Sequence, residues 1–377
     1  MGLEEQIVQT LLKKIAQVAE ERHLGEEEIK NLIDVSVKAT LTDGIKAMTD
    51  GMVTRLMKQI PEMIEQERAL QTAFEQRLYA RWNKALDLFD ATVILTREAG
   101  ERFLRKQRKL VTKEEKMLLE ALIRVHMCAC QTAAAVSVLL KSGFARDALA
   151  RQRTLHELAV VASLLQKHGP SLAERFLAHE IIETCAAAEQ YEQSYLRLGD
   201  EPPDPANLAK LQAERTRLCQ RFGEDFKNHY GWAAQIVVKS KRPKFEDLEK
   251  AAGLDHVHPY YRMASYGVHA TAKGLVFDIG SLQSLAGGAR GLLAGASNAG
   301  LADPGHGSLI SLNQCTAALL TSKTDIEAVA SLQTLQSFVD KAGQAFLEVH
   351  QEQVQEEKSR INSLKQKKAQ SNLKIPL

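Results

Sequence analysis

The stretch HPYYRMASYGVHATAKG, residues 258–274, concentrates more proton-moving and anion-binding groups than any other part of the chain. Read as a helix at 100° per residue, it carries Arg262 and His269 within about 20° of each other, two turns apart. Ser265 and Tyr266 lie between them. A guanidinium can hold a phosphate, and an imidazole moves a proton near neutral pH. Such a face suits acid–base chemistry on a phosphate ester, with Arg262 positioning the phosphate and His269 as general acid or base. A plainer reading stays open: the polar seam of a helical core, in which His269 satisfies its neighbours.

A second group lies in GFARDALARQRTLHELAVVASLL. Arg153 and Glu157 are four apart and adjoin on a helix. Ala148, Leu149, Leu155, Leu158, Val161 and Leu165 spread apolar contact round most of that helix, so charges on it need partners. Arg153, His156 and Glu157 therefore form either an ion-pair network or the floor of a polar pocket. Arg153 and Glu157 are expected to be mostly buried, with a third polar partner from the helix holding His269. Arg151 and His156 repeat the Arg–His spacing with four residues between.

Other motifs say less. His256 and His258 lack a third ligand at recognisable spacing, so no metal site is expected. His306, beside Asp303 and Ser308, reads as an exposed turn, because Ser–His–Asp triads are assembled from separated segments. The Gly- and Ala-rich run 287–308 lacks a phosphate-loop pattern and reads as close helix approach or a mobile loop. No cofactor is implied.

These residues need elements to position them. Ala, Leu, Glu, Gln, Lys and Arg fill whole segments, aromatics make up 5% and there are only 9 prolines among 377 residues. That composition favours helices. The expected fold is all-α: a bundle of long antiparallel helices with an N-terminal helical extension (1–60), a main domain (61–322) and a C-terminal helix with a charged tail (323–377). Helices are expected over 3–22, 26–40, 44–58, from Pro61 onward, and over 113–142, 144–168, 171–198, 205–238, 258–274 and 324–368. Breaks are read at the two TDG tripeptides.

A net charge of +2 gives no global field toward nucleic acid or membrane. Five cysteines, Cys128, Cys130, Cys185, Cys219 and Cys315, read as reduced, buried thiols of a cytoplasmic protein. The N-terminus lacks the basic and apolar regions of a signal peptide. The most apolar run, 117–140, carries Glu120, Arg124 and His126, which argues for a buried helix and against membrane association.

ALARQRTLHELAVVASLL, GWAAQIV and YYRMASYGVHATAKG together resemble an uncharacterised bacterial family, the domain of unknown function 5677, over roughly 80–290. The resemblance implies a helical fold and a polar pocket made here of Arg153, Glu157, Tyr261, Ser265 and His269, with Tyr266 beside them. It implies no reaction. The Arg–x(4 to 6)–His spacing is similar to that of HEPN ribonucleases, which place Asn, Asp or His after the Arg; here Met263 follows Arg262 and Gln152 follows Arg151. That likeness implies a metal-independent RNA-cleaving effector in bacterial stress or phage defence, with RNA as partner. It also implies a homo-oligomer, with a further partner protein on the N- or C-terminal helices as an option. Two alternatives stand beside it: a non-catalytic helical scaffold, and a helical domain sensing a small molecule or nucleotide.

Overall fold

Residues that lose little side-chain freedom in a helix fill this chain, and the helix is the regular structure it forms. A computed structural model describes residues 3–107, 112–237, 242–276 and 295–372, and contains no strand among them. The fold is all-α. In chain order the helices are α1 (Leu3–Arg22), α2 (Glu26–Gln107), α3 (Lys113–Lys141), α4 (Ala145–His168), α5 (Pro170–Ala178), α6 (Glu180–Glu192) and α7 (Tyr195–Leu198). There follow α8 (Pro205–Phe222), α9 (Phe245–Ala252), α10 (His258–Ser265), α11 (Ala272–Val276), α12 (Ala302–Leu320) and α13 (Ile326–Asn372).

The chain divides into two compact units, Met1–Ala73 and Phe74–Leu377. In the first, every residue of α2 from 42 to 70 is exposed, although Ile45, Met48, Met52, Leu56, Ile60 and Met63 form an apolar stripe. In the second, α4 is the central helix. It packs on α3, α12, α9 and α10, and α12 packs in turn on α3 and α13. Leu155, Ala159, Val160, Leu164 and Leu165 of α4 are buried with Trp82 and Phe89 of α2, Leu309 and Leu312 of α12, and Phe346 of α13 in one core.

Two glycines fix where α4 starts and stops. At Gly143, φ is +79°, and a Cβ would lie 2.6 Å from the Phe74 ring and 2.8 Å from the Ser297 carbonyl. Only glycine fits that backbone at that distance. At Gly169, φ is +72°; it ends α4, and Pro170 opens α5. Farther along, Arg175 of α5 is buried without a carboxylate. It donates to the carbonyls of Trp232 (3.0 Å), Gly231 (3.0 Å) and Phe222 (3.2 Å), and lies against the Phe222 and Phe226 rings. Burial lowers its pKa. This arrangement anchors the GWAA turn to the bundle.

Several expectations are corrected. The TDG tripeptides do not break α2, and Pro61 lies in its interior rather than at a start. The helix read over 171–198 is three pieces, and the one read over 205–238 ends at Phe222. The helix read over 258–274 stops at Ser265, so Arg262 and His269 do not share one continuous helical face. His306 is half-buried on α12 rather than exposed in a turn, because α12 already begins at Ala302. Cys128 is exposed and Cys130 half-buried; Cys185, Cys219 and Cys315 are buried. The first part of the Gly/Ala run, 287–294, lies outside the described residues. Among the described residues one helix, Glu115–Lys141 within α3, is long and apolar enough to cross a membrane by length and composition. Its Leu122, Ala129, Val136 and Leu140 belong to the buried core of the second unit.

Candidate functional site

Successive residues on α4 turn by 100°, so Arg153 and Glu157 point to one side and Gln152 and His156 toward another. On the first side, Arg153 Nε donates to Glu157 Oε1 at 3.1 Å, the i, i+4 pair expected from the sequence. The third partner is Tyr261 of α10. Its hydroxyl accepts from Arg153 Nη2 and donates to Glu157 Oε1, each at 2.9 Å. The guanidinium also lies 4.7 Å from the centre of the Tyr261 ring. Burial, then the Glu157 charge, push the Tyr261 pKa upward, so the hydroxyl stays protonated and keeps donating. Tyr230, beside the GWAA turn, also has its pKa raised, by burial first and by Glu157 next. The pair is less buried than expected: the side chains keep 20% (Arg153) and 36% (Glu157) of their exposure.

His269 reaches this cluster by a turn and not by helical period. After Ser265 the backbone tightens into i→i−3 bonds, Tyr266 to Met263 and Gly267 to Ala264. Val268 and His269 then both bond back to the Ser265 carbonyl. Gly274 packs on that turn: a Cβ there would lie 2.4 Å from the Tyr266 carbonyl and 2.7 Å from that of His269. Arg146 of α4 donates to the Gly274 carbonyl at 2.7 Å and ties the segment to the bundle. His269 itself is exposed, with Nε2 3.4 Å from Arg153 Nη1.

The structure thus brings together Arg153, Glu157, Tyr261 and His269. It does not bring in Arg151, which is exposed about 200° round α4 from Arg153. The Ser265 hydroxyl turns back to the Tyr261 carbonyl at 2.8 Å. Arg262 is exposed on the last turn of α10 and lowers the Tyr266 pKa, though less than the Lys273 ammonium, which lies 4.5 Å from the Tyr266 ring centre. Arg153 thus approaches His269, while Lys273 approaches the neighbouring Tyr266 ring.

About 60° round α4 from Arg153, His156 is fully buried, and its Nε2 meets Glu249 Oε1 of α9 at 2.8 Å. The second oxygen of Glu249 meets His258 Nδ1 at 2.5 Å. This carboxylate, missed in the sequence, is held between two imidazoles and joins α4, α9 and α10. No run of spacing could reveal it, because its partners lie 93 and 9 residues away. His156 and Gln152 also border a cavity of about 620 Å³ completed by α12 and α13. Among the described residues, no group of three or more His, Cys, Asp or Glu is placed to hold a metal ion.

Residues 119–284 match a family of unknown function, DUF5677. The DUF5677 segment contains α4, α9 and α10 with the whole Arg153–Glu157–Tyr261–His269 cluster, whereas α12 and α13 lie outside it. No curated protein and no solved structure matches the chain.

Proposed function

We propose that this protein is an RNA-cleaving effector of the HEPN kind, acting without a metal in bacterial stress or phage defence in the cytoplasm. The observation that carries this is the 3.4 Å approach of His269 Nε2 to Arg153 Nη1 at a solvent-open edge. His269 takes the proton of a ribose 2′-hydroxyl, whose oxygen attacks phosphorus. The bond from phosphorus to the 5′ oxygen breaks, and that oxygen gains a proton from water. Arg153 holds the charge that builds on the phosphate; Glu157 and Tyr261 fix the guanidinium as positioning residues. Arg262 and Lys273 guide the strand.

Purified full-length protein should cleave a structured RNA in the presence of a chelator, leaving 2′,3′-cyclic phosphate ends. His269→Ala and Arg153→Ala should each lower the rate at least ~100-fold, the range of general acid–base catalysis. No cleavage of any RNA by the wild-type chain sinks the proposal.

A second reading, a non-catalytic scaffold, has its own support. All three arms of the Arg153 guanidinium already have partners in Glu157, Tyr261 and His269. Under that reading His269→Ala lowers the melting temperature and no RNA is cut.

A homo-oligomer belongs to the first reading. Its support is the exposed stripe of α2: Ile45, Met48 and Met63 are 53–63% exposed. Gly44, Gly51 and Pro61 weaken that helix, so a partner surface is needed to hold it. A wild-type monomer at micromolar concentration overturns this part.

A further inference from the structure

The cavity of about 620 Å³ enclosed by α4, α12, α13 and the start of α10 has the size of a small-molecule site. Its construction is specific. A Cβ at Gly343 would lie 2.4 Å from His306 Nε2, and one at Gly307 3.2 Å from the Gln152 amide, so both glycines let polar side chains sit at the wall. Burial lowers the His306 pKa against the pull of Asp340 and Asp303, which keeps the ring neutral.

The chemistry of the wall has one sign. Asp303 and Asp340 are exposed at its edge, and none of the described lining residues is Lys or Arg. Three of the lining residues carry a buried atom with no hydrogen-bond partner among the described residues: Gln152 Oε1, His156 Nδ1 and His350 Nδ1. Gln152 and His156 are both more than nine-tenths buried. The Gln152 carbonyl oxygen is an acceptor, and a buried acceptor left unpaired is costly, so a donor on a bound ligand would satisfy it. Leu149, Ile310 and Phe346 supply apolar contact beside them.

We propose that this cavity binds a small organic cation, an amine or amidinium on a short apolar body, with Asp340 and Asp303 meeting its charge. The alternative of a phosphate-bearing ligand is disfavoured, because no lining cation would meet the phosphate. The proposal does not rest on RNA cleavage: Arg153, Glu157, Tyr261 and His269 are not among the lining residues.

The test is calorimetric titration of the full-length protein with benzamidine and with agmatine, with inorganic phosphate as the opposite-charge probe. One cation should bind at a single site and raise the melting temperature. Asp340→Asn should weaken it at least tenfold. Ile310→Trp, on the rim, should abolish it while circular dichroism stays unchanged. Three results would each overturn the proposal: binding of neither cation, tighter binding of phosphate, or cation binding unaffected by both variants. Asp303→Asn gives a second reading of the charge should Asp340→Asn fold poorly.

Discussion

The two ends of α2 use the same helical period to opposite effect. From Leu78 to Phe89 its apolar positions, Leu78, Trp82, Ala85, Leu86 and Phe89, are fully buried in the second unit. From 42 to 70 an apolar stripe of similar regularity is wholly exposed. Periodicity therefore says which face wants cover, and not whether this chain supplies it. The packed end also carries aromatic volume and cross-links, including Trp82 Nε1 to the Asn298 carbonyl at 2.8 Å. The bare end carries flexible methionines, Gly44, Gly51 and Pro61.

The sharpest test of that difference is Phe89→Ala, which should cost about 3–5 kcal/mol in denaturant unfolding, as for other fully buried aromatics. A loss under 1 kcal/mol would mean that the packed end is no better covered than the bare one. Next comes acid. His126 is buried beside α2, where a Cβ on Gly100 would meet its ring at 2.5 Å, and burial lowers its pKa to about 4. Protonation therefore favours the unfolded chain. The penalty is absent above the unfolded value near 6.5, grows as pH falls toward 4 and levels off below it, reaching about 3 kcal/mol. His126→Gln should flatten the stability profile over that window; an unchanged profile would put the acid sensitivity elsewhere.

Arg153→Ala should be milder, at about 1–2 kcal/mol, because the pair with Glu157 is partly screened by solvent. A thermal melt read with the RNA assay separates this structural effect from the loss of cleavage. Smallest on the fold should be Met52→Gln with Leu56→Gln. Their melt at low protein concentration should shift by under ~0.5 kcal/mol, as for exposed sites, while sedimentation should show loss of self-association. Equal destabilisation of bare and packed ends would erase the comparison.

Composition and spacing determined a good deal. The helical class followed from residues that fit helices and from the near-absence of breakers, and the Arg153–Glu157 pair followed from i, i+4 geometry alone. A polar partner for the pair from the segment before His269 was legible too, and it is Tyr261. Local rules misled in two places. Gly44, Gly51 and Pro61 weaken a helix without ending it, and α10 stops at Ser265 because the chain must turn to lay Gly274 on the Tyr266 and His269 carbonyls. Only the tertiary structure could decide that His269 meets Arg153 rather than Arg262, that Glu249 joins two histidines, and that four helices leave a cavity walled by Gln152, His306 and Asp340. Sequence spacing fixes direction within one helix through the 3.6-residue turn. The distance between helices is set by side-chain volume at their crossings, and no single segment contains it.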